Sequence, residues 1–431
     1  MIAAEDLSRA AVVTTPLIGR STASQLSLDA HLREHGPLPA LPGRDLVQMT
    51  KRAGLTGHGG AAFPLWRKLE AVTQSRGRAV AVGNGAEGEP ASGKDQWLLT
   101  HRPHLVLDGL QLAAQAVGAS DVFLYANELI PLRQLGRVIA ERDRARIDPR
   151  SVDLVAAPDA FISGEESSVV SYLSGDAALP RFKRPPVFER GVRGRPTLVS
   201  NVETLAHLAL IARHGPEWFR HVGTSEQPGT MLFTVSGAVA NPGVVEAPHG
   251  TRLADIIDLA GGATSRLQAV LVGGYHGAWL APDVAARVRM SRADLAPVEA
   301  SPGAGVVVAL GESSCGLMES SRVLGYLARE SAGQCGPCLN GLPRIAELSR
   351  SLVTRNANPA AVTELHRIAG LLEHRGACHH PDGSVRFLRS ALRVFSAELE
   401  LHHRGRCSRT TDDAVLPTPR RSAHDLQRTG S

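Results

Sequence analysis

Lysine is nearly absent from this chain: of 47 basic residues, only Lys51, Lys68, Lys94 and Lys183 are not arginine. Where an arginine default is broken, the position calls for a compact ammonium with three donors in place of a planar fork. Aromatic residues make up only 4%, which argues against a base-stacking nucleic-acid binder. Nor does the net charge of +5 gather into a Lys/Arg block, so no nucleic-acid partner is expected. The five cysteines, Cys315, Cys335, Cys338, Cys378 and Cys407, are an odd number with four beyond residue 330, unlike a secreted disulfide scaffold. Apolar runs of the roughly 18 residues a membrane span needs are missing. Glu5 and Asp6 near the N-terminus, with no apolar core after a basic region, read poorly as a signal peptide. These absences predict a soluble, cytoplasmic protein without direct membrane insertion, any membrane association coming through a partner complex.

What is present fills about three domains at roughly 150 residues each. From Ala79 to Ser174, β-branched runs (Ala79–Val82, Asp121–Tyr125) alternate with amphipathic stretches (Leu105–Val117, Leu132–Glu141), the order of a layered α/β domain. Near Gly229 a second unit begins, with strands at Met231–Val235, Val244–Glu246 and Ala269–Val272 around a short helix that Gly261-Gly262 ends; a β-grasp module fits this order. Beyond Gly316 the period turns helical, with four stripes that predict a small bundle. The expected division is 1–228 for the α/β domain, 229–304 for the β-grasp module, 305–403 for the helical domain and 404–431 for a disordered tail rich in Arg, Ser, Thr, Asp and Pro.

Four segments carry candidate chemistry. Gly54-Leu55-Thr56-Gly57-His58-Gly59-Gly60, followed by Ala61-Ala62-Phe63-Pro64, can bring backbone N–H groups close to a phosphate, with Lys68 within reach as a cation; alone, it is as readily a plain loop. The run from Gly83 to Asp95 follows a strand directly, where α/β folds place ligands, and its Asn84, Glu87 and Glu89 can bond ribityl or ribose hydroxyls; standing by itself, it reads better as a solvated acidic loop. Ile162 to Ser168 sets the acidic pair Glu165-Glu166 at a helix start. Finally, Cys335-Gly336-Pro337-Cys338 with the later Cys378 points to a metal or an iron–sulfur cluster, since thiolates are the ligands both need.

Taken in order, with Lys183-Arg184-Pro185-Pro186 and Ser200-Asn201-Val202-Glu203-Thr204, these segments resemble the NADH-binding flavoprotein subunit of respiratory complex I. They are similar also to the diaphorase subunits of NAD-reducing hydrogenases and formate dehydrogenases. The resemblance runs from about Leu26 to Leu401. It implies an α/β Rossmann-like FMN-binding domain, a β-grasp (SLBB-like) module and a C-terminal four-helix iron–sulfur bundle. It also implies hydride transfer from NADH to FMN and single electrons to a [4Fe–4S] cluster, then to a ferredoxin-like or quinone-reductase partner. By this resemblance Gly57, Gly59, Gly60, Lys68, Asn84 and Asn201 hold FMN. Glu89, Glu166 and Phe63 shape the NADH side, Glu87 and Thr204 join the cofactor set, and Cys335, Cys338 and Cys378 ligate the cluster. No side chain is expected to act as a catalytic acid or base.

The chain departs from the family pattern at named positions. Ala332 stands where the family has its first cluster cysteine, Ala86 replaces an aspartate, Phe161 a tyrosine and Ser200 an asparagine, while Thr56 and His58 replace arginines. Three readings of the thiol site therefore stand open. The first is a [4Fe–4S] cluster with an open iron or a fourth ligand from His379, His380, Cys315 or Cys407; the others are a [3Fe–4S] cluster and a Cys₃His zinc site. The losses also open an alternative to the enzyme: a non-catalytic scaffold with a structural metal that binds partner proteins.

Overall fold

The computed structural model describes residues 16–19, 27–127, 132–181, 185–354, 360–411 and 413–419. Lys183, expected as part of the Lys-Arg-Pro-Pro stretch, lies outside them.

The first sheet holds β1 (Val80–Gly85), β2 (Asp121–Asn127), β3 (Asp153–Ala157) and β4 (Thr197–Asn201) in the order β3-β2-β1-β4, all parallel. Buried on both faces, β1 opens with the apolar run Val80-Ala81-Val82 without alternation, as strands of covered parallel sheets do, and turns polar only at Asn84 near its end. Helices Pro103–Ala116 and Val202–His214 cover one face and are apolar almost all round because both are buried. They touch at Gly109, where a side chain would drive its Cβ to 1.8 Å from the Leu205 carbonyl oxygen. Val169 and Val170 of helix Glu166–Leu173 pack with Val80, Val82 and Tyr125 in a separate cluster. Successive strands run outward from β1 to β2 and β3, and the chain then returns to place β4 on the other side of β1. That reversal opens a crevice at the carboxyl ends of β1 and β4, where Asn84 and Asn201 pair in register.

The second sheet, ordered β6-β5-β9-β7-β8, comprises β5 (Thr230–Gly237), β6 (Gly243–Pro248), β7 (Leu267–Val272), β8 (Ala278–Leu280) and β9 (Val306–Gly311). β9 is its central strand, parallel to β5 and antiparallel to β7, so the boundary expected after residue 304 falls one strand short. Fully buried, Val306–Gly311 lacks the alternation that separates strand from buried helix, and it directly precedes the helical region.

The helical unit comprises Gly316–Arg329, Leu342–Leu352, Ala360–Leu372, His380–Val394 and Ser396–His403. The last predicted stripe divides at Phe395, whose buried ring meets Trp279 of β8 edge-on and leaves no room beside Gly316 for a side chain. Ser390 Oγ accepts the Trp279 N–H at 3.0 Å, fastening the bundle to the second sheet.

The expected disordered tail is corrected over its described part. Leu416 is fully buried in the helical core, its N–H donates to Glu319 Oε2 at 2.8 Å, and the Pro417 carbonyl accepts the Tyr275 hydroxyl at 2.6 Å. One leucine is enough to seat a polar segment in a waiting pocket, and a single residue shows no periodicity. Residues 420–431 lie outside the described part.

Candidate functional site

The glycine-rich loop closes on itself where Gly57 N–H donates to the Phe63 carbonyl at 2.9 Å. Gly60, at φ 96°, takes a conformation that side-chain-bearing residues rarely adopt. Beneath the loop, the Thr204 hydroxyl accepts the His58 N–H at 2.9 Å. Thr204, expected in the cofactor set, is thus a buried tie that holds the loop and does not line the crevice.

In the second segment, the Glu87 carboxylate accepts the Gln96 N–H at 3.0 Å and the Ser92 hydroxyl, so it caps the helix Lys94–His101. Burial, reinforced by the neighbouring Asp95, pushes Glu87 up to about 7. Burial is also the main force raising Glu89 to about 7, although it accepts the Tyr275 N–H of the β-grasp module at 2.9 Å. Lys94, 1% exposed, pairs with Asp95 at 2.6 Å and Glu203 at 2.8 Å. Asp95 in turn accepts the Asn201 amide at 2.7 Å, and Glu203 accepts the Leu232 N–H of β5 at 2.8 Å. The buried lysine therefore connects the end of β4, the start of the 94–101 helix and the β-grasp sheet.

Backbones meet where the acidic loops cross. A Cβ on Gly88 would lie 2.4 Å from the Phe161 carbonyl oxygen, and one on Gly164 would lie 2.5 Å from that of Ala86. Asn84 Nδ2 adds a bond to the Gly164 carbonyl at 2.9 Å. Glu165 caps the helix it precedes, accepting the N–H groups of Ser167 and Ser168.

All three units converge on one cavity of about 750 Å³. It is lined by Gly59, Gly60, Asn84, Glu87, Glu89 and Asn201 from the first unit, Gly273 and Ser301 from the second, and Cys378 from the third. Phe63, Lys68 and Glu166 instead line a neighbouring recess of about 430 Å³, shared at Ala61, where Lys68 Nζ donates to Glu166 Oε1 at 2.7 Å and to the Val199 carbonyl at 3.1 Å. Gly57 faces a small pocket beside the loop.

Among the cavity residues that sequence reading missed are His276, Arg292 and Arg386. Arginine is the default cation of this chain, so neither arginine stands out along the sequence. Also unread was the buried group His58, His207 and His249, with ring centres 4.8 and 5.6 Å from His58. Burial first, then mutual repulsion among the group, holds His207 far below its usual value.

The three expected ligand cysteines interact. Burial pushes Cys338 up to about 12, aided by Cys335, with which it shares a hydrogen bond, and by Cys378. Burial also raises Cys335, but bonds from the Ala377 and Cys338 N–H groups and from the Cys338 thiol outweigh it and hold the thiol below its usual value. Of the four candidates for a further ligand, His380 has both ring nitrogens engaged, with His276 Nε2 at 3.0 Å and the Leu327 carbonyl at 2.8 Å. Cys315 and Cys407 gather elsewhere, with Glu398 and His402. His379 remains, its side chain 85% exposed.

A cofactor with hydroxyls and a phosphate suits the cavity, which offers amide and carboxylate acceptors, arginines and bare glycine backbone. Residues 50–210 match the Nuo51 FMN-binding domain, residues 232–274 the SLBB domain, and residues 318–402 the NADH-ubiquinone oxidoreductase-F iron-sulfur binding region. These matches define the class: an FMN-binding domain joined through an SLBB module to an iron–sulfur region. The chain is 31% identical to the NADH-quinone oxidoreductase F subunit of Streptomyces coelicolor over 399 residues, 88% of this chain and 89% of that protein. Against the NADH-quinone oxidoreductase F 2 subunit of Rhizobium meliloti it is 30% identical over 373 residues, 83% and 88% of the two. The structure of an NAD+-reducing NiFe hydrogenase in its H2-reduced state superposes with a TM-score of 0.78 at 26% identity, covering 95% of this chain and 73% of that one. The chain belongs to the family of NADH-quinone oxidoreductase F subunits. FMN, NAD and an iron–sulfur cluster, the expected cofactors, are those of this family. Among the described residues, no helix is long and apolar enough to cross a membrane.

Proposed function

We propose that this protein is the NADH-oxidising, FMN-binding component of an electron-transfer complex. Its cluster is held by Cys335, Cys338 and Cys378, and it delivers electrons to a ferredoxin-like or quinone-reductase partner. One observation carries the reading: Gly59, Gly60, Asn84 and Asn201 share a single cavity with Cys378, so a flavin site and a thiol site are neighbours without intervening protein layers. FMN held there would supply the chemistry that couples two-electron hydride acceptance from NADH to one-electron release. The chain's part is positioning. Gly59 and Gly60 admit the cofactor against bare backbone, and Asn84 and Asn201, fixed by Gly164 and Asp95, present amides at the strand ends. The buried ammonium of Lys94 balances Asp95 and Glu203 directly behind them. Glu89, poised near neutrality, can hold or release a proton at the cavity wall. The division of the cavity into FMN and NADH sides, with Phe63, Lys68, Glu87, Glu166, Gly57 and Thr204 supporting it, belongs to this proposal.

Ala332 favours a cluster with three thiolate ligands, because alanine offers iron no donor. The same substitution, together with Ala86, motivates the second reading, a scaffold with a structural metal. An anaerobic absorption spectrum of the purified protein, before and after NADH, decides between them, with iron and zinc measured on the same sample. The proposal expects flavin bands at about 370 and 450 nm, bleached by NADH, over a broad iron–sulfur shoulder. A colourless, iron-free protein would leave the scaffold.

A further inference from the structure

Outside the thiol site, a second set of metal-binding groups closes between the helical unit and the segment that follows it. Cys315 stands at the start of helix Gly316–Arg329, Glu398 and His402 lie one turn apart on helix Ser396–His403, and Cys407 follows five residues after His402. One donor atom from each of the four lies within 4.8 Å of the others. Cys315, Glu398 and His402 are 3, 5 and 4% exposed, so soft and charged donors face one another where water is nearly excluded. Such a grouping is costly without a cation to share.

The spacings are those of a tetrahedron around zinc. With zinc–sulfur at about 2.3 Å and zinc–nitrogen or –oxygen at about 2.0–2.1 Å, sulfur-to-nitrogen or sulfur-to-oxygen edges come to about 3.6 Å and nitrogen-to-oxygen edges to about 3.3 Å. Cys315 Sγ lies 3.4 Å from His402 Nε2 and 3.6 Å from Glu398 Oε1, and His402 Nε2 lies 3.2 Å from Glu398 Oε1. The Cys407 thiol completes the set, in hydrogen-bonding contact with both Cys315 and Glu398. Glu398 Oε1 keeps a further bond from the Ser408 N–H at 2.9 Å, which orients the carboxylate as outer-shell partners orient ligands.

We propose that Cys315, Glu398, His402 and Cys407 form a structural zinc site, separate from the iron–sulfur cysteines. Binding deprotonates both thiols, and the zinc ties the exit of β9 to the last helix and to the segment that crosses back over the bundle. That segment is held further by the Thr410 N–H on the Ser313 carbonyl at 2.8 Å and by buried Leu416. The site does not depend on the proposed electron-transfer reaction.

Metal analysis of the purified full chain tests it, with zinc and iron measured together in the parent protein, Cys407→Ser and Cys335→Ser. Cys407 is exposed, so its substitution spares the packed core. The expected result is about one zinc per chain in the parent, lost at least fivefold in Cys407→Ser with iron unchanged, and retained in Cys335→Ser while iron falls. As a second readout, addition of a zinc chelator should lower the thermal midpoint of the parent and leave that of Cys407→Ser unmoved. Zinc absent from the parent, zinc that follows Cys335 instead of Cys407, or a Cys315–Cys407 disulfide found by alkylation without reduction would each overturn the proposal.

Discussion

Three of the four lysines mark motifs, and at Lys94 the structure shows what the ammonium does: it neutralises two carboxylates, Asp95 and Glu203, that are almost completely buried. Burial lowers the affinity of Lys94 for its proton, but Asp95 and Glu203 outweigh it, so the side chain stays charged. Lys94→Met should cost about 3–5 kcal/mol in urea unfolding, since two buried charges lose their partner. A loss under about 1 kcal/mol would mean that the carboxylates are neutral instead. Gly88→Ala should cost about 1–3 kcal/mol through its clash with Phe161 and lower the flavin absorbance of the purified protein. Ala332→Cys should raise the iron bound per chain on reconstitution; unchanged iron would count against a missing ligand. Motif spacing pointed to Gly59, Gly60, Asn84, Glu87 and Glu89, which line the cavity, because glycines and paired acids stand out in sequence; Phe63, Lys68 and Glu166, singled out in the same way, line the neighbouring recess instead. Arg292, Arg386 and His276 could not be found that way, since they meet the cavity from units far apart in the chain.

At the level of elements, apolar periodicity was legible where one face was buried and the other exposed, as in helix Leu342–Leu352. It failed for β9, apolar on both faces, and for residues 413–419, whose single buried leucine carries no period. Leu416→Ala distinguishes a packed strap from a disordered tail: the strap expects a loss of about 2–5 kcal/mol, the tail none. The thermal midpoint of that variant provides the comparison.

The whole molecule carries buried titratable groups of both kinds, and their opposed shifts set its pH response. Burial, with like charges nearby, lowers His35 and His58 to about 4 and His104 and His249 to about 3. Below pH 6.5 the unfolded chain takes up protons there that the native state refuses, so stability falls with pH. Burial raises Glu87 and Glu89 to about 7 and Glu246 to about 8. Their protons are held by the native state and released by the unfolded one, so that contribution is lost as pH rises through 7 and 8. Urea midpoints should therefore peak at about pH 6–7 and decline on both sides. A midpoint still rising at pH 8 would contradict the carboxylate assignment.

The order of the three units, the family and the candidate residues were determined by the sequence itself, because glycine runs, strand-end polar residues and cysteine pairs are local features. Which of those residues share a cavity was decided only by the fold. Parallel pairing brings Asn84 beside Asn201 across more than a hundred residues, and helix docking brings Cys378 to the same wall. Packing likewise drew Cys315 and Cys407 away from the other thiols and set them beside Glu398 and His402, an arrangement that spacing along the chain cannot express.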